Sequence, residues 1–137
     1  MSDGFALELQ KGIRAALVAD SDITDLVSTR VYDEPPQRPT YPFIKFGSIQ
    51  PQADDTDGST GANISLTIDA FSRATGRVEA SRIAEAIRAS LHRQEETVSL
   101  AGFHLIELIC ETYFVDQEND ERGHFATVIF SANVQTA

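Results

Sequence analysis

The chain has 137 residues, of which 42% are hydrophobic and eight are phenylalanine, enough apolar material for a packed core. Its 21 acidic residues outnumber its 11 basic residues and give a formal net charge of −10. Tight binding to a nucleic-acid backbone needs clustered Lys and Arg, so the composition argues against a DNA-binding domain. The single Cys110 excludes an internal disulfide, and its apolar context predicts a buried, unreactive thiol.

The sequence shows no signal-peptide pattern at its start and no apolar run that approaches the length of a membrane span. We therefore expect the chain to be made and folded in the cytoplasm, as one domain over residues 1–137.

The first predicted element is a helix with Asp3 as its N-cap. Its apolar residues recur at steps of four, at Phe5, Leu9, Ile13 and Leu17. Residues 20–22 end this helix and cap a short turn through residues 23–27. Several prolines then keep residues 30–42 extended, because proline removes backbone donors and restricts the residue before it.

Four predicted strands and a second predicted helix follow. Residues 43–49 form a strand that Pro51 ends, and residues 52–61 form an acidic, glycine-containing loop. Polar and apolar residues alternate over residues 62–71, which predicts a strand with one buried face. A helix follows, with its apolar stripe at Val78, Ala80, Ile83, Ala84, Ile87 and Leu91.

The last two strands, residues 103–115 and 125–134, form an antiparallel hairpin joined by the acidic residues 116–123. Simple alternation along the first of them puts Ile106, Leu108, Cys110, Thr112 and Phe114 on one face. We therefore predict an α+β fold, a mainly antiparallel four-stranded sheet with two helices packed on one face.

The second face of this sheet is predicted to stay partly apolar. The residues that point away from the helices are Leu105, Ile109, Tyr113, Phe71, Phe125 and Ile129. An uncovered face of this character indicates a protein–protein contact. The alternative is that residues 31–40 or the C-terminal tail fold across it.

Metal and catalytic sites are not predicted. Placing Gly58 at position six of a calcium loop puts Ile64 at position twelve, where a carboxylate belongs, and in the second acidic loop Glu121 takes the glycine position. His92, His104 and His124 lack zinc-site spacing. No nucleophile elbow or phosphate-binding glycine pattern occurs. We predict no enzyme activity and no cofactor.

Several segments, taken together, carry a family resemblance. They are the first helix to Leu17, ITDLV at 23–27, RVYD at 30–33, the prolines leading into YPFIKFG at 41–47, LTIDAFS at 66–72, the helix over 83–91 and the final hairpin with its acidic turn. This order resembles the tail-completion, or tail-terminator, proteins of long-tailed bacteriophages and gene transfer agents.

The resemblance implies a structural virion protein, without catalytic residues, that forms a ring, typically a hexamer. The ring caps the tail tube and meets the head connector, and DNA passes through its opening. The implied partners are copies of itself, the major tail tube protein, the head-completion or connector protein, and DNA as non-specific cargo, with no membrane. The implied location is the neck end of a phage or gene-transfer-agent particle. The alternatives are another neck or head-closure component, or a small cytoplasmic binding module unrelated to virions.

The resemblance also gives the exposed residues a purpose. We expect the subunit interface to use Phe71, Phe125, Ile129 and Tyr113. The channel-lining or tube-docking residues are expected to be Asp116, Glu118, Asp120 and Glu121, or alternatively Asp54, Asp55 and Asp57. Acidic side chains in the channel would repel phosphates and keep DNA from adhering.

Overall fold

The computed structural model describes residues 4–54, 60–118 and 123–137. Its elements are α1 (Phe5–Ala19), α2 (Ser21–Val27), β1 (Val31–Tyr32), β2 (Phe43–Ala53), β3 (Gly61–Ser72), α3 (Val78–Leu91), a 3-10 helix (Glu95–Thr97), β4 (Phe103–Gln117) and β5 (His124–Thr136). The strands form one sheet in the order β1-β2-β3-β5-β4. Strand β1 runs parallel to β2, and the other neighbouring pairs are antiparallel. The α+β prediction is confirmed, with one more strand and one more α-helix than predicted.

The additional helix is α2, which was predicted as a turn. Its N-cap is Asp20, whose carboxylate accepts a hydrogen bond of 2.9 Å from the Asp22 backbone N–H. Buried Ile23 and Val27, one helical turn apart, attach α2 to the core. Helix α1 begins after Gly4, and the predicted cap Asp3 lies outside the described residues.

The additional strand is β1, which pairs with Ile44 and Lys45 of β2. Strand β2 continues past Pro51 to Ala53, so the prediction that Pro51 ends it is wrong. Beyond Lys45, β2 pairs with β3 alone among the described strands. Proline is tolerated there because its missing N–H breaks no ladder hydrogen bond on an open edge.

The core lies between the helices and one face of the sheet. It is built from alternate residues of β3 and β5 and from the inner stripes of α1 and α3. Its large members include Leu9, Ile13, Leu17, Ile64, Leu66, Ile68, Ile83, Ile87, Leu91 and Phe130. Gly12 of α1 lets residues 98–100 approach closely, since a Cβ at this position would lie 2.8 Å from the Ser99 carbonyl oxygen.

Two β-bulges change the faces of β4. The register against β5 shifts between Leu105 and Glu107 and again between Cys110 and Thr112. Each bulge inserts one residue and inverts the alternation that follows. Leu105 and Tyr113 therefore pack against the core, and the prediction that they point away from the helices is wrong.

The same bulges correct the predicted position of Phe114. This residue is opposite Thr127 of β5, on the face away from the helices, and not on the face of Leu108 and Cys110.

Among residues 4–54, 60–118 and 123–137, no helix is both long and apolar enough to cross a membrane.

Core packing predicts contrasting effects for two isoleucines. Ile68 of β3 is fully buried, whereas Ile106 at the first bulge of β4 is 57% exposed. We expect Ile68→Ala to lower the free energy of unfolding by about 3 kcal/mol through lost burial and a cavity. Ile106→Ala, the matched control, should cost less than about 0.5 kcal/mol. Urea denaturation measures both, and equal losses would contradict the assignment of the two faces.

Candidate interaction face of the sheet

The sheet surface opposite the helices is called the open face here. On β3 and β5 its residues are Asn63, Ser65, Thr67, Asp69 and Phe71, and Phe125, Thr127, Ile129, Ser131, Asn133 and Gln135. Buried residues of both strands alternate with these positions and face the helices. The prediction that Phe71, Phe125 and Ile129 point away from the helices is confirmed.

In the described part of the chain, the C-terminal tail does not fold across this surface, whereas the segment that contains Tyr32 and Tyr41 covers its β2 end, where the ring centre of Tyr32 lies 5.9 Å from that of Phe43 and Phe43 is 4% exposed. The C-terminal tail stays in the sheet, where Thr136 N–H donates to the Thr60 carbonyl and Ala137 N–H to the Gly102 carbonyl. The proline-rich segment reaches the open face at Tyr41, whose ring centre lies 5.0 Å from that of Phe43. Among the described residues, the open face of β3, β5 and β4 is therefore left uncovered.

Five aromatic side chains cross one end of the open face from β2 to β4. This aromatic row consists, in order, of Tyr41, Phe43, Phe71, Phe125 and Phe114. Successive ring centres lie 5.0, 5.0, 6.4 and 6.1 Å apart. Contacts of this kind contribute about 0.5–1.5 kcal/mol per pair beyond burial. The row therefore stabilises the sheet as well as offering an apolar surface.

The two ends of the aromatic row differ. At the β2 end, the Arg73 guanidinium lies 4.7 Å from the centre of the Tyr41 ring, and its Nη2 donates to the Tyr41 hydroxyl at 3.3 Å. At the β4 end, Phe114 is 48% exposed, and exposed Asp116 follows it on the same face. Arg73 thus lies at the β2 end of the row and Asp116 at the β4 end.

Asp69 lies near the middle of the open face and accepts a 2.8 Å hydrogen bond from the Thr127 hydroxyl. Burial raises the pKa of the Asp69 carboxyl, while the Thr127 hydrogen bond and, less strongly, the charge of Lys45 act in the opposite direction. The half-buried carboxylate stands directly opposite Lys45 in the β2–β3 register. Its charge is therefore partly balanced within the subunit.

The other end of the open face is polar. Asn133 Nδ2 donates to the Asp54 carboxylate at 2.9 Å and to Asn63 Oδ1 at 2.8 Å, and Gln135 Nε2 donates to Asn133 Oδ1 at 3.0 Å. Nearby, the Ser131 hydroxyl donates to Glu111 at 2.6 Å. These polar groups therefore hydrogen-bond to one another within the subunit.

The two acidic loops lie at opposite ends of the sheet. Asp54 follows β2 at the polar end, whereas Asp116 and Glu118 lie at the end with the aromatic row. Strand β3, 12 residues long, separates the two ends by about 40 Å. The remaining predicted loop residues, Asp55, Asp57, Asp120 and Glu121, lie outside the described residues.

A segment after α3 partly closes the outer edge of β4. His92 Nδ1 accepts from Cys110 N–H, and the Glu95 carboxylate accepts from Leu108 N–H, both at 2.9 Å. Arg93 N–H donates to the Leu108 carbonyl at 2.9 Å. Natural sheets protect their edges in this way. His92 is therefore a structural residue.

The other described cysteine and histidine side chains do not form a reactive or metal-binding cluster. Burial raises the pKa of the Cys110 thiol, which disfavours the reactive thiolate. His104 is exposed at the start of β4, and His124 begins β5 at the other end of the sheet. Across the described ranges 4–54, 60–118 and 123–137, no group of three His, Cys, Asp or Glu side chains is placed to hold a metal ion.

A two-layer domain whose second sheet face carries a partly exposed aromatic row offers the kind of surface that marks a protein–protein contact. The chain belongs to the family described as tail completion protein gp17, whose pattern it matches over residues 11–135. This family consists of structural virion proteins and not of enzymes. The resemblance found in the sequence, the phage-like tail role and the absence of enzyme function that it implied are confirmed.

A solved structure described as "Virion of native gene transfer agent (GTA) particle" contains a chain of the same fold. The match has a TM-score of 0.84 and 23% sequence identity, and it covers 93% of this chain and 94% of that chain. No match is found among curated proteins.

The pKa of Asp69 predicts a pH-dependent effect of its replacement. Because the folded-state value lies above the unfolded value of about 3.9, the folded protein binds this proton more tightly. The stability that protonated Asp69 contributes is fully present below the pKa of the unfolded state, and it is lost as pH rises through the raised pKa of the folded state. The free energy of unfolding of the Asp69→Asn variant minus that of the wild type should therefore increase as pH rises.

Urea denaturation at a series of pH values measures this difference. A difference that stays constant with pH would contradict the raised pKa. Thr127→Val offers a second test, because removing the hydrogen bond that lowers the pKa of Asp69 should raise this pKa further. A carboxyl-detected NMR titration of Asp69 would show the change directly.

Proposed function

We propose that this chain forms a hexameric ring that caps the finished tail tube and joins it to the head connector. DNA passes through the opening as non-specific cargo. The observation that carries the proposal is the family match over residues 11–135, and the fold likeness to a chain of a gene-transfer-agent virion supports it. The partners are copies of this chain, the major tail tube protein and the head-completion or connector protein.

The proposed subunit interface uses the open face. Phe71, Phe125 and Ile129 lie on its neighbouring strands β3 and β5. Tyr113 belongs to the other face, where it packs against the core and lies near Glu85 of α3. Exposed Phe114 takes the place predicted for Tyr113, since it extends the same aromatic row to the edge of the sheet.

The proposed channel lining is the acidic loop that begins at Asp116. Asp116 is exposed, and its carboxylate accepts a 2.8 Å hydrogen bond from the neighbouring Gln117 backbone N–H, whereas the half-buried Asp54 carboxylate of the other loop accepts from the Asn133 side chain of β5. An exposed carboxylate contributes more to a repulsive field around the channel than one that is held against the sheet. Repulsion of phosphates would let DNA pass without adhering. The whole chain, residues 1–137, acts as one domain in this proposal.

Loss of the protein tests the proposed role. We expect phage or gene-transfer-agent particles assembled without it to show overlong tails, whether joined to heads or separated from them, under negative-stain electron microscopy. Wild-type protein supplied in trans should restore tail length and attachment. Tails of normal length on intact heads in its absence would contradict the proposal. Normal-length tails that only fail to join heads would instead indicate a head-closure component.

A further inference from the structure

The half of the open face that β4 and β5 form is acidic. Glu107 lies opposite Asn133 of β5, and the exposed Glu111 carboxylate accepts the hydrogen bond from Ser131. Neither strand contains a lysine or an arginine. The 48% exposed ring of Phe114 adds apolar surface to this half. A complementary surface would therefore combine an apolar side chain with a cation.

The complementary surface must lie elsewhere on the same chain. A contact that repeats around a ring of more than two copies joins two different surfaces of each subunit. Among the described residues, the exposed large apolar side chains besides Phe114 are Leu7 of α1, Val78 of α3 and Ile106 of β4, with exposed fractions of 45%, 59% and 57%. The charges beside these three side chains distinguish them.

Those charges favour Val78. Beside Leu7, the carboxylate of Glu8 pairs with the Lys11 ammonium at 3.5 Å, so the two charges balance each other within α1. Ile106 belongs to the acidic strand β4 itself. Val78, in contrast, begins a helix whose outward surface carries an exposed arginine.

That arginine is Arg82, one helical turn after Val78 and likewise opposite the buried stripe of α3. It is exposed, and its guanidinium forms no hydrogen bond or ion pair within residues 4–54, 60–118 and 123–137. The neighbouring carboxylates of Glu79 and Glu85 are directed to side chains of β3 and β4 of the same subunit. The start of α3 therefore presents an apolar side chain beside an available cation.

We propose that Val78 and Arg82 of one copy of this chain dock on the open face of the next copy. This inference rests on the proposed ring and names the surface that its open face meets. Val78 packs against the exposed ring of Phe114, and the Arg82 guanidinium pairs with the Glu111 carboxylate. One oxygen of Glu111 accepts from Ser131, and the second oxygen accepts from the neighbour.

The spacing of the groups fits this contact. Val78 and Arg82 are about 6 Å apart along the helix axis. Phe114 and Glu111 are about 10 Å apart along β4. The long arginine side chain spans the difference. Because a helix surface meets a sheet face, the contact is head-to-tail, and its repetition closes a ring when its rotation allows.

Charge reversal tests the ion pair. Arg82→Glu places two carboxylates together at every contact, and Glu111→Arg places two cations together. Like charges across an interface disfavour association, so each variant alone should reduce the yield of complete particles at least about tenfold. The double variant Arg82→Glu/Glu111→Arg should recover, because it restores an opposite-charge pair with its sign exchanged.

Mixing the two single variants is a sharper test. In an alternating ring, the glutamate introduced by Arg82→Glu in one copy meets the arginine introduced by Glu111→Arg in the next. Every remaining contact is then the wild-type pair. Such alternation closes when the number of subunits is even. Co-expression of the two single variants should therefore also restore particles, although each fails alone.

Glu111→Gln provides a second test that spares the bond within the subunit. Its amide oxygen still accepts from the Ser131 hydroxyl, while the charge is lost. Combined with Arg82→Glu, it removes the repulsion between two carboxylates. This combination should therefore give a particle yield several-fold above that of Arg82→Glu alone.

Val78→Asp tests the apolar part of the contact. It places a carboxylate against an acidic face, so the particle yield should fall at least about tenfold. Because Val78 is 59% exposed, the urea midpoint of the purified subunit should stay close to that of the wild type. Leu7→Asp makes the same change at an exposed apolar side chain of α1, and it should leave the yield within about twofold.

Two charge controls locate the ion pair. Arg38→Glu reverses an exposed arginine of the proline-rich segment before β2, and Glu96→Arg reverses an exposed glutamate of the 3-10 helix after α3. Both should leave the particle yield within about twofold of the wild type. Urea denaturation of each variant confirms that it is folded.

The outcomes separate the contact from the proposed function. Recovery by the double variant or by the mixture supports the contact. Single variants that assemble normally, single defects that no combination repairs, or equal defects in the controls would overturn it while the ring function stands. If particles without the protein are normal, the ring function fails instead. Sedimentation of concentrated purified variants then still measures whether Arg82 and Glu111 drive self-association.

Discussion

The alternation of buried and open-face residues along β3 and β5 is the constraint on which the structure depends. These two strands pair over their whole length. In each of them, every second residue points toward the helices. A shift of one residue would bury polar groups such as Asp69 and expose the core. The same alternation brings Phe71 and Phe125 together on the opposite surface. One register thus determines both the core and the candidate interaction face.

The strands nearer the edges are less regular, and their irregularities decide what other molecules can reach. Strand β2 has a register shift between Phe46 and Ile49, and β4 has two shifts. Bonds from His92 and Glu95 occupy the middle of the β4 edge. These features prevent a flat edge that would pair with any exposed strand. They leave side chains such as Phe114, which is 48% exposed, accessible near this edge.

Much of the fold could be predicted from the sequence because its main elements have strong periodic patterns. The predicted stripe of α3 gives the observed bounds Val78–Leu91, and the alternation in β3 and β5 gives the correct faces. Strand β1 was missed because two residues among prolines carry no period. The faces of β4 were partly wrong because a bulge leaves no signature in residue types.

Only part of the aromatic row could be predicted from the sequence, for a related reason. Phe71 and Phe125 follow from alternation, but Tyr41 and Phe114 join the row through pairing between strands that are distant in sequence. A single amino-acid sequence does not reveal the register between strands that are distant along the chain. The contact between Arg73 and Tyr41 depends on it too, since these residues are 32 positions apart in the sequence.

The two bulges of β4 act together on the alternation of side chains between the two faces of the sheet. The first changes the phase of the strand, the second restores it, and only the stretch between them is out of phase. Deleting either inserted residue alone would leave every later side chain on the wrong surface. Sequence length within this strand is consequently under tighter constraint than the identity of its exposed residues.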